Sequence, residues 1–187
     1  GIEDQATARP EQTMHLYFSE GPAIVSALLS GTLYAIIGSM RLESPRLRYL
    51  PLHEERYCFV AAPSLMAEVP LSEPGHALNH TLVDTSPSLS LFRYWQDQVP
   101  SDERWQFGAH QYMGAIAPIR HWVLAGRGVA VLPEYFVGPD LEAGRLQRVL
   151  THVEPRTDWF RLVWLEDHMR SAELEAFGQF LRTQPLR

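Results

Sequence analysis

Residues 119–133 constrain the fold of this 187-residue chain more than any other segment. Their apolar members at helical spacing, which predict one buried helix face, are Ile119, Val123 and Leu124. Gly126 and Gly128 then stop the predicted helix, and the apolar run 129–132 predicts a short buried strand that ends at Pro133. This helix, turn and strand indicate an α/β fold and carry no catalytic group.

Apolar runs bounded by turn residues predict more strands and helices on both sides of this junction. The strands are expected at 15–18, 33–37, 48–52, 55–62, 81–84, 105–109, 129–132, 146–150 and 159–165. The helices are expected from Pro22 to Gly31, over 90–98, up to Ala125 and from a cap at Ser171. Alternating strands and helices predict parallel pairing through crossover helices, and two α/β lobes are the simplest account.

The composition is typical of a soluble globular protein. Hydrophobic residues make up 45% of the chain and charged residues 20%, which argues against disorder. No apolar run approaches the ~18 residues needed to cross a bilayer, so no membrane partner is expected. The start of the chain lacks the basic and apolar segments of a secretory signal, so a cytoplasmic location is expected.

The charge pattern does not favour direct binding of nucleic acid. The net charge is −6, and the positive residues are all arginines, none of which forms a cluster longer than Arg46-Leu-Arg48. Binding to a phosphate backbone needs a basic patch or stripe. If the protein acts on DNA, another segment must make the contact.

Motifs for covalent or metal chemistry do not emerge. The single cysteine, Cys58, lies in an apolar run and is expected to be buried and inert. The chain has eight histidines but no His-Glu-x-x-His motif, and no nucleophile elbow occurs, so no metal, cofactor or catalytic residue is expected. The adjacent carboxylates Glu54-Glu55 and Glu166-Asp167 are expected to be solvated charges.

The remaining candidates for function are polar residues that follow predicted strands. Ligands of open α/β sheets bind outside the carboxyl ends of the strands. A helix start at Gly21-Pro22 also offers free N–H groups. The candidate ligand-binding residues are Ser19, Gly21, Pro22, Ser39, Thr85, Ser86, Gln111, Tyr112 and Met113.

The chain resembles the effector-binding domain of bacterial LysR-type transcriptional regulators. The resemblance is carried by Gly126-Arg-Gly128, the apolar strand that ends in Leu132-Pro133, and Gly144-Arg-Leu146. The segment 18–38 is similar to the family's strand, glycine turn and helix. Similar patterns extend from about His15 to the C-terminal helix.

This resemblance implies two Rossmann-like α/β lobes of the periplasmic-binding-protein type II kind, joined by two crossover segments. Lobe I would comprise 1–57 and 160–187, without its first strand and helix, and lobe II would comprise 58–159. A small organic acid, amino acid or aromatic metabolite would bind between the lobes and control transcription. The chain would form a homodimer or homotetramer and reach DNA only through an N-terminal helix-turn-helix domain that this sequence lacks.

Two alternatives share this architecture. A periplasmic solute-binding protein of an uptake system would carry a removed signal peptide and contact a transporter. An enzyme on the same fold would turn over its ligand. An upstream helix-turn-helix would favour the regulator over the solute-binding protein, and turnover assays would test the enzyme.

Overall fold

The computed structural model describes residues 15, 22–39, 42 and 44–185. The chain divides into two compact units. Unit 1 comprises the residues up to Glu54 together with those from Asp158 onward, and unit 2 runs from Glu55 to Thr157. The strand predicted at 15–18 lies outside the described residues. Within the described ranges, no helix has the length and apolar character required to cross a membrane.

The elements alternate between strands and helices, which confirms the predicted α/β class. Those of unit 1 are α1 (Pro22–Leu29), β1 (Ala35–Gly38), β2 (Leu47–Glu55), β8 (Asp158–Leu165) and α6 (Ser171–Arg182). The strands of unit 2 are β3 (Tyr57–Ala61), β4 (Thr81–Asp84), β5 (Ala109–Tyr112), β6 (Ala130–Pro133) and β7 (Gln147–Arg148). Its α-helices are α2 (Pro63–Glu68), α3 (Arg93–Gln96), α4 (Ile116–Leu124) and α5 (Glu134–Glu142), and Pro74–Asn79 forms a 3-10 helix.

The sheet of unit 1 has the order β1-β8-β2, with β1 antiparallel to β8. Successive side chains of β8 point to opposite faces, so each face buries its own set. Val163 and Leu165 pack with Leu28 of α1, whereas Leu162 and Trp164 pack with Leu181 of α6. Burial on both faces explains why the end of β8 is a continuous apolar run.

Helix α6 approaches this sheet closely at Gly178. A Cβ atom at that position would lie 2.3 Å from Leu50 Cδ2 and 3.0 Å from Leu162 Cδ2. The Trp164 indole donates to Ser171 Oγ at 2.8 Å, which ties β8 to the first turn of the helix. The predicted cap at Ser171 is wrong, because the N-cap is Arg170 and no side chain caps this helix.

Unit 2 contains a sheet of order β6-β3-β7, in which β3 is antiparallel to both neighbours, and a parallel pair, β4-β5. A parallel bridge between Leu82 and Val129 joins the two groups. Its hydrogen bonds run from Val83 N to Val129 O and from Val129 N to Thr81 O, both at 2.9 Å. The strand order across unit 2 is therefore β5-β4-β6-β3-β7.

The two glycines after α4 have different roles. Gly126 has a φ of +70° and terminates the helix, as predicted. Gly128 does not stop the helix; it lets the chain pass close to β4, where a Cβ atom would lie 2.7 Å from Thr81 O and 2.8 Å from Val83 Cγ2. The Gly-x-Gly pattern thus encodes a helix end followed by close contact between two chain segments.

One prediction for unit 2 is wrong, and one helix of unit 2 was missed. The strand expected at 105–109 instead occupies Ala109–Tyr112. Trp105 and Phe107 are buried in an aromatic core with Trp95. The alternation of buried and exposed residues at 105–108 therefore comes from packing of an extended segment that does not pair with another described strand. Helix α5 was not predicted, because Gly138-Pro139 within it is typical of a turn.

The expectation that Glu55 is solvated is also wrong, since only 4% of the residue is exposed. It ends β2 beside the phenols of Tyr57 and Tyr135. Burial raises the pKa of both tyrosines, and the Glu55 charge raises these pKa values further.

Asp140 on α5 is the most strongly paired buried carboxylate of unit 2. Arg120 Nη2 and Arg145 Nε donate to its Oδ1 at 2.9 and 2.8 Å, and Asp140 itself is fully buried. Burial alone would raise the pKa of Asp140, but the hydrogen bonds from the two arginines outweigh it and hold the pKa below its usual range. The pair with Arg120 links α5 to α4.

We expect Gly128→Ala to lower the free energy of unfolding by about 1–3 kcal/mol, because the added methyl group would overlap Thr81 O. Chemical denaturation of the 187-residue chain measures the change. Gly138→Ala is the matched control, since its Cβ meets nothing within 4 Å and alanine favours the helix. Equal stability of the two variants would contradict the close contact between Gly128 and β4.

We expect Asp140→Asn to destabilise the chain by about 2 kcal/mol at neutral pH through loss of charge-assisted hydrogen bonds. The folded pKa of Asp140 is lowered, so its contribution is fully present above the unfolded value of about 3.9 and disappears as the pH falls through the folded value. Denaturation at pH 7 and at successively lower pH should show the variant approaching wild type. A difference that does not change with pH would contradict the ionised pairing.

Candidate functional site

The ends of β4 and β5 lie side by side in unit 2. The two strands are parallel, with Asp84 opposite Tyr112. The ladder continues past the strands, because Met113 N donates to Asp84 O and Gly114 N to Thr85 O, both at 2.9 Å. Two separate groups of predicted site residues, Thr85-Ser86 and Gln111-Tyr112-Met113, are therefore brought together.

The position of β5 changes the interpretation of the second group. Gln111 and Tyr112 were expected in the loop after a strand, but they are the last residues of β5, and Met113 follows them. Tyr112 is 40% exposed, and Gln111 Nε2 makes a long 3.4 Å hydrogen bond to Tyr112 O. Most of the hydrogen-bonding capacity of these two side chains is not used by other described residues.

The first group belongs to a loop fastened at both ends to Asp84. The carboxylate of Asp84 is fully buried and accepts hydrogen bonds from Thr85 N at 2.6 Å and Phe92 N at 2.8 Å. Leu91 N adds a longer bond at 3.3 Å. We call residues 85–90 the hydroxyl loop, because its members include Thr85, Ser86, Ser88 and Ser90.

Hydrogen bonds inside the hydroxyl loop link its side chains in pairs. Thr85 Oγ1 lies 3.0 Å from Ser90 Oγ, and Ser86 Oγ lies 2.7 Å from Ser88 Oγ. A turn closes the loop, with Leu89 N donating to Ser86 O at 3.0 Å and Leu89 at a φ of +53°. The loop therefore presents a fixed set of hydroxyl groups at the end of β4.

Asp84, Ser88 and Ser90 were not among the predicted site residues. The available signal was an aspartate at the end of an apolar strand followed by threonine and serine. Such residues hydrogen-bond nearby main-chain groups and commonly shape turns. Only the structure shows that the Asp84 carboxylate reaches Phe92.

The remaining predicted residues belong to unit 1. Ser19 and Gly21 lie outside the described residues, and Pro22 is the first residue of α1. Ser39 follows β1, and its carbonyl accepts a hydrogen bond from Arg161 Nη1 at 3.0 Å. Arg161 also donates to the Asp158 carboxylate and was not predicted as a site residue. That both units contribute to one ligand site stays a prediction.

Side chains for metal binding do not cluster in the described ranges, where no three residues of the histidine, cysteine, aspartate and glutamate types come together. A separate open depression of about 370 Å³ in unit 2 has eight lining residues, which are Gln96, Val99, Pro100, Ser101, Glu103, Arg104, Trp105 and Gln106. No residue of the predicted site lines it. The ends of β4 and β5 remain the candidate site.

Cys58 lies in the middle of the unit 2 sheet and is 4% exposed. Burial and the nearby Glu134 charge raise the pKa of its thiol to about 12, although Arg148 acts in the opposite direction. Nucleophilic and redox chemistry requires the thiolate. The structure therefore supports the expectation that this thiol is inert.

We expect Cys58 to resist Ellman's reagent in the folded chain, because only about one thiol in 10⁴ is ionised at pH 8 for a pKa near 12, and access is blocked. Labelling should become at least about a hundredfold faster in guanidinium chloride, which exposes the thiol. Absorbance measures both rates, and Cys58→Ala is the blank. Labelling of the folded chain at the rate of a free thiol would contradict the buried environment.

Comparisons with known proteins agree on one family and one fold. A family model described as the LysR substrate binding domain matches residues 2–185. No curated protein matches the sequence. The structure is similar to the regulatory domain of CrgA, a LysR-type transcriptional regulator from Neisseria meningitidis, with a TM-score of 0.81 and 20% identity over 97% of this chain and 88% of that one.

Two longer regulators are also similar. A second structure of CrgA from Neisseria meningitidis gives the same TM-score of 0.81 and 20% identity, over 97% of this chain and 61% of that one. Full-length LysG from Corynebacterium glutamicum, solved with bound effector Arg, gives a TM-score of 0.73 at 16% identity, over 100% of this chain and 63% of LysG. The chain thus spans less than two thirds of these two proteins. At such identities the likeness establishes the fold, which is the type II periplasmic-binding-protein kind that was predicted.

Proposed function

The chain belongs to the LysR substrate-binding domain family, and from this premise we propose that a small organic effector binds it at the ends of β4 and β5 and thereby controls transcription. The observation that carries the proposal is the parallel pairing of β4 with β5, which places Thr85 and Ser86 beside Gln111, Tyr112 and Met113. Hydroxyl, amide and phenol groups are suited to orient a small polar molecule.

We also include the candidate residues of unit 1 in the proposed effector site, although fewer observations support them. Ser39 at the end of β1 and Pro22 at the start of α1 belong to turns of the kind that bind ligands in α/β proteins. Ser19 and Gly21 are retained from the sequence prediction. The two-lobe division near residues 57 and 160 is likewise part of the proposal.

Regulation requires no covalent step. An effector can shift a conformational equilibrium only by its difference in affinity for the two states. We propose that the domain acts as a cytoplasmic homodimer or homotetramer and that DNA is contacted by a helix-turn-helix domain outside this chain. LysG carries a bound arginine as its effector, which supports a small polar ligand in this family.

The alternatives receive less support. The matching family model and similar structures are those of LysR regulators, which disfavours a periplasmic solute-binding protein. They are also transcriptional regulator domains and offer no support for an enzyme. Catalysis is therefore not part of the proposed function.

A thermal-shift screen of organic acids, amino acids and aromatic metabolites tests this proposal on the 187-residue chain. At least one compound should raise the melting temperature in a concentration-dependent way, with about 2.7 kcal/mol of stabilisation at a hundred times its Kd. Ser86→Ala and Gln111→Ala should weaken that shift by removing ligand-facing polar groups.

Ser64→Ala is the matched control, because Ser64 is an exposed residue of unit 2 that lies neither at the ends of β4 and β5 nor in the open depression. It should leave the shift unchanged. No stabilisation by any compound would count against effector binding. Stabilisation that is equal in the site variants and the control would place the effector elsewhere.

A further inference from the structure

The direction of the hydrogen bonds in the hydroxyl loop restricts the chemistry of its ligand. Thr85 Oγ1 lies 3.2 Å from Asp84 Oδ1, with Thr85 as the donor. Main-chain N–H groups donate to both oxygens of the same carboxylate. A carboxylate only accepts hydrogen bonds, so Asp84 cannot donate one to Thr85. A threonine hydroxyl has one proton, so Thr85 has none left for a ligand.

The same reasoning extends to Ser90. Its Oγ lies 3.0 Å from Thr85 Oγ1, where either atom could donate in isolation. Because the Thr85 proton is already directed at Asp84, Ser90 must be the donor of this pair. Both hydroxyl groups therefore keep free lone pairs and no free proton, and together they form a corner that can only accept hydrogen bonds.

The second hydroxyl pair of the loop differs from this corner. Ser86 and Ser88 lie 2.7 Å apart, and neither is hydrogen-bonded to a carboxylate in the described part of the chain. One of these two side chains donates to the other, and one proton is left over. The acceptor-only character is thus a local property of Thr85 and Ser90.

The charge beneath the corner also favours a particular ligand group. Asp84 is fully buried, and none of the ion pairs found among the described residues includes it. Among the described residues, N–H and O–H groups are the hydrogen-bond partners of this carboxylate, and no cation pairs with it. A positive group near Thr85 would be attracted, and a carboxylate would be repelled.

We propose that Thr85 and Ser90 bind the ammonium group of the effector, with Asp84 as the positioning residue that fixes their protons and supplies the attraction. The inference rests on the proposed function and narrows its ligand to a small primary amine, a class that includes the amino acids. An ammonium group has three donors and no acceptor, which complements two adjacent hydroxyl acceptors. A carboxylate has the opposite character and is excluded from this corner.

Methylammonium and acetate are the two probes, because they present the competing groups without the rest of a ligand. The ¹⁵N–¹H spectrum of the 187-residue chain is recorded during titration with methylammonium chloride and, separately, sodium acetate, at matched ionic strength kept with sodium chloride. Methylammonium should shift the amide signals of Thr85, Ser86 and Ser90 saturably, with an affinity roughly tenfold or more above that of acetate.

Variants separate the acceptor corner from a general charge effect. Ser90→Ala removes one acceptor but leaves every hydrogen bond to Asp84 in place, and it should weaken methylammonium binding several-fold. Thr85→Val should abolish binding, whereas Thr85→Ser, which keeps the hydroxyl, should restore it. Thr151→Val, at an exposed position of unit 2, is the matched control and should bind as wild type does.

Saturable binding of methylammonium that depends on Ser90 and Thr85 would support the proposal. Shifts caused by acetate and not by methylammonium would overturn the ammonium assignment while leaving a ligand site at this loop. Absence of saturable shifts with either probe would also overturn the assignment. The thermal-shift screen decides effector binding separately, so failure of the ammonium assignment and failure of the proposed function are distinguishable.

Discussion

The close approach of Gly128 to Thr81 is the contact on which the architecture of unit 2 depends. It allows Val129 to hydrogen-bond to both Thr81 and Val83, and this bridge joins the β4-β5 pair to the β6-β3-β7 sheet. Any side chain larger than hydrogen would push the two segments apart. The position of the candidate site, at the far end of β4, thus depends on a glycine that touches no candidate ligand-binding residue.

A second constraint acts beyond β4, where the chain leaves the ladder after Thr85 and forms a loop. Asp84 accepts main-chain hydrogen bonds from Thr85 at the beginning of the loop and from Phe92 beyond its end. One buried carboxylate therefore fixes both the beginning and the end of the loop. Because ordering a loop costs conformational entropy, a loop that is already ordered can bind a ligand at a lower cost.

The sequence predicted elements best where a buried element also ends in a local turn signal. Helix α4, Gly126 and the strand after it were predicted because each leaves a periodic or turn signal within a few residues. The alternation of Trp105 and Phe107 was misleading, since burial alone can produce it without strand pairing. The candidate residues at the ends of β4 and β5 could be selected from the sequence because they follow predicted strands. The hydrogen bond from Phe92 to Asp84 spans eight residues and leaves no periodic pattern.

The two fully buried aspartates of unit 2, Asp84 and Asp140, differ in the groups that pair with their carboxylates. Asp140 forms ion pairs with two arginines, which neutralise its negative charge locally. Asp84 is held by N–H and O–H dipoles, which stabilise its charge without cancelling it. If fold stability were its only role, a neutral side chain able to accept hydrogen bonds could cap the same loop without burying a net charge. A negative charge that is hydrogen-bonded to the half-buried Thr85 hydroxyl, beside the exposed Ser90, has a use where a cation binds to these two hydroxyl groups.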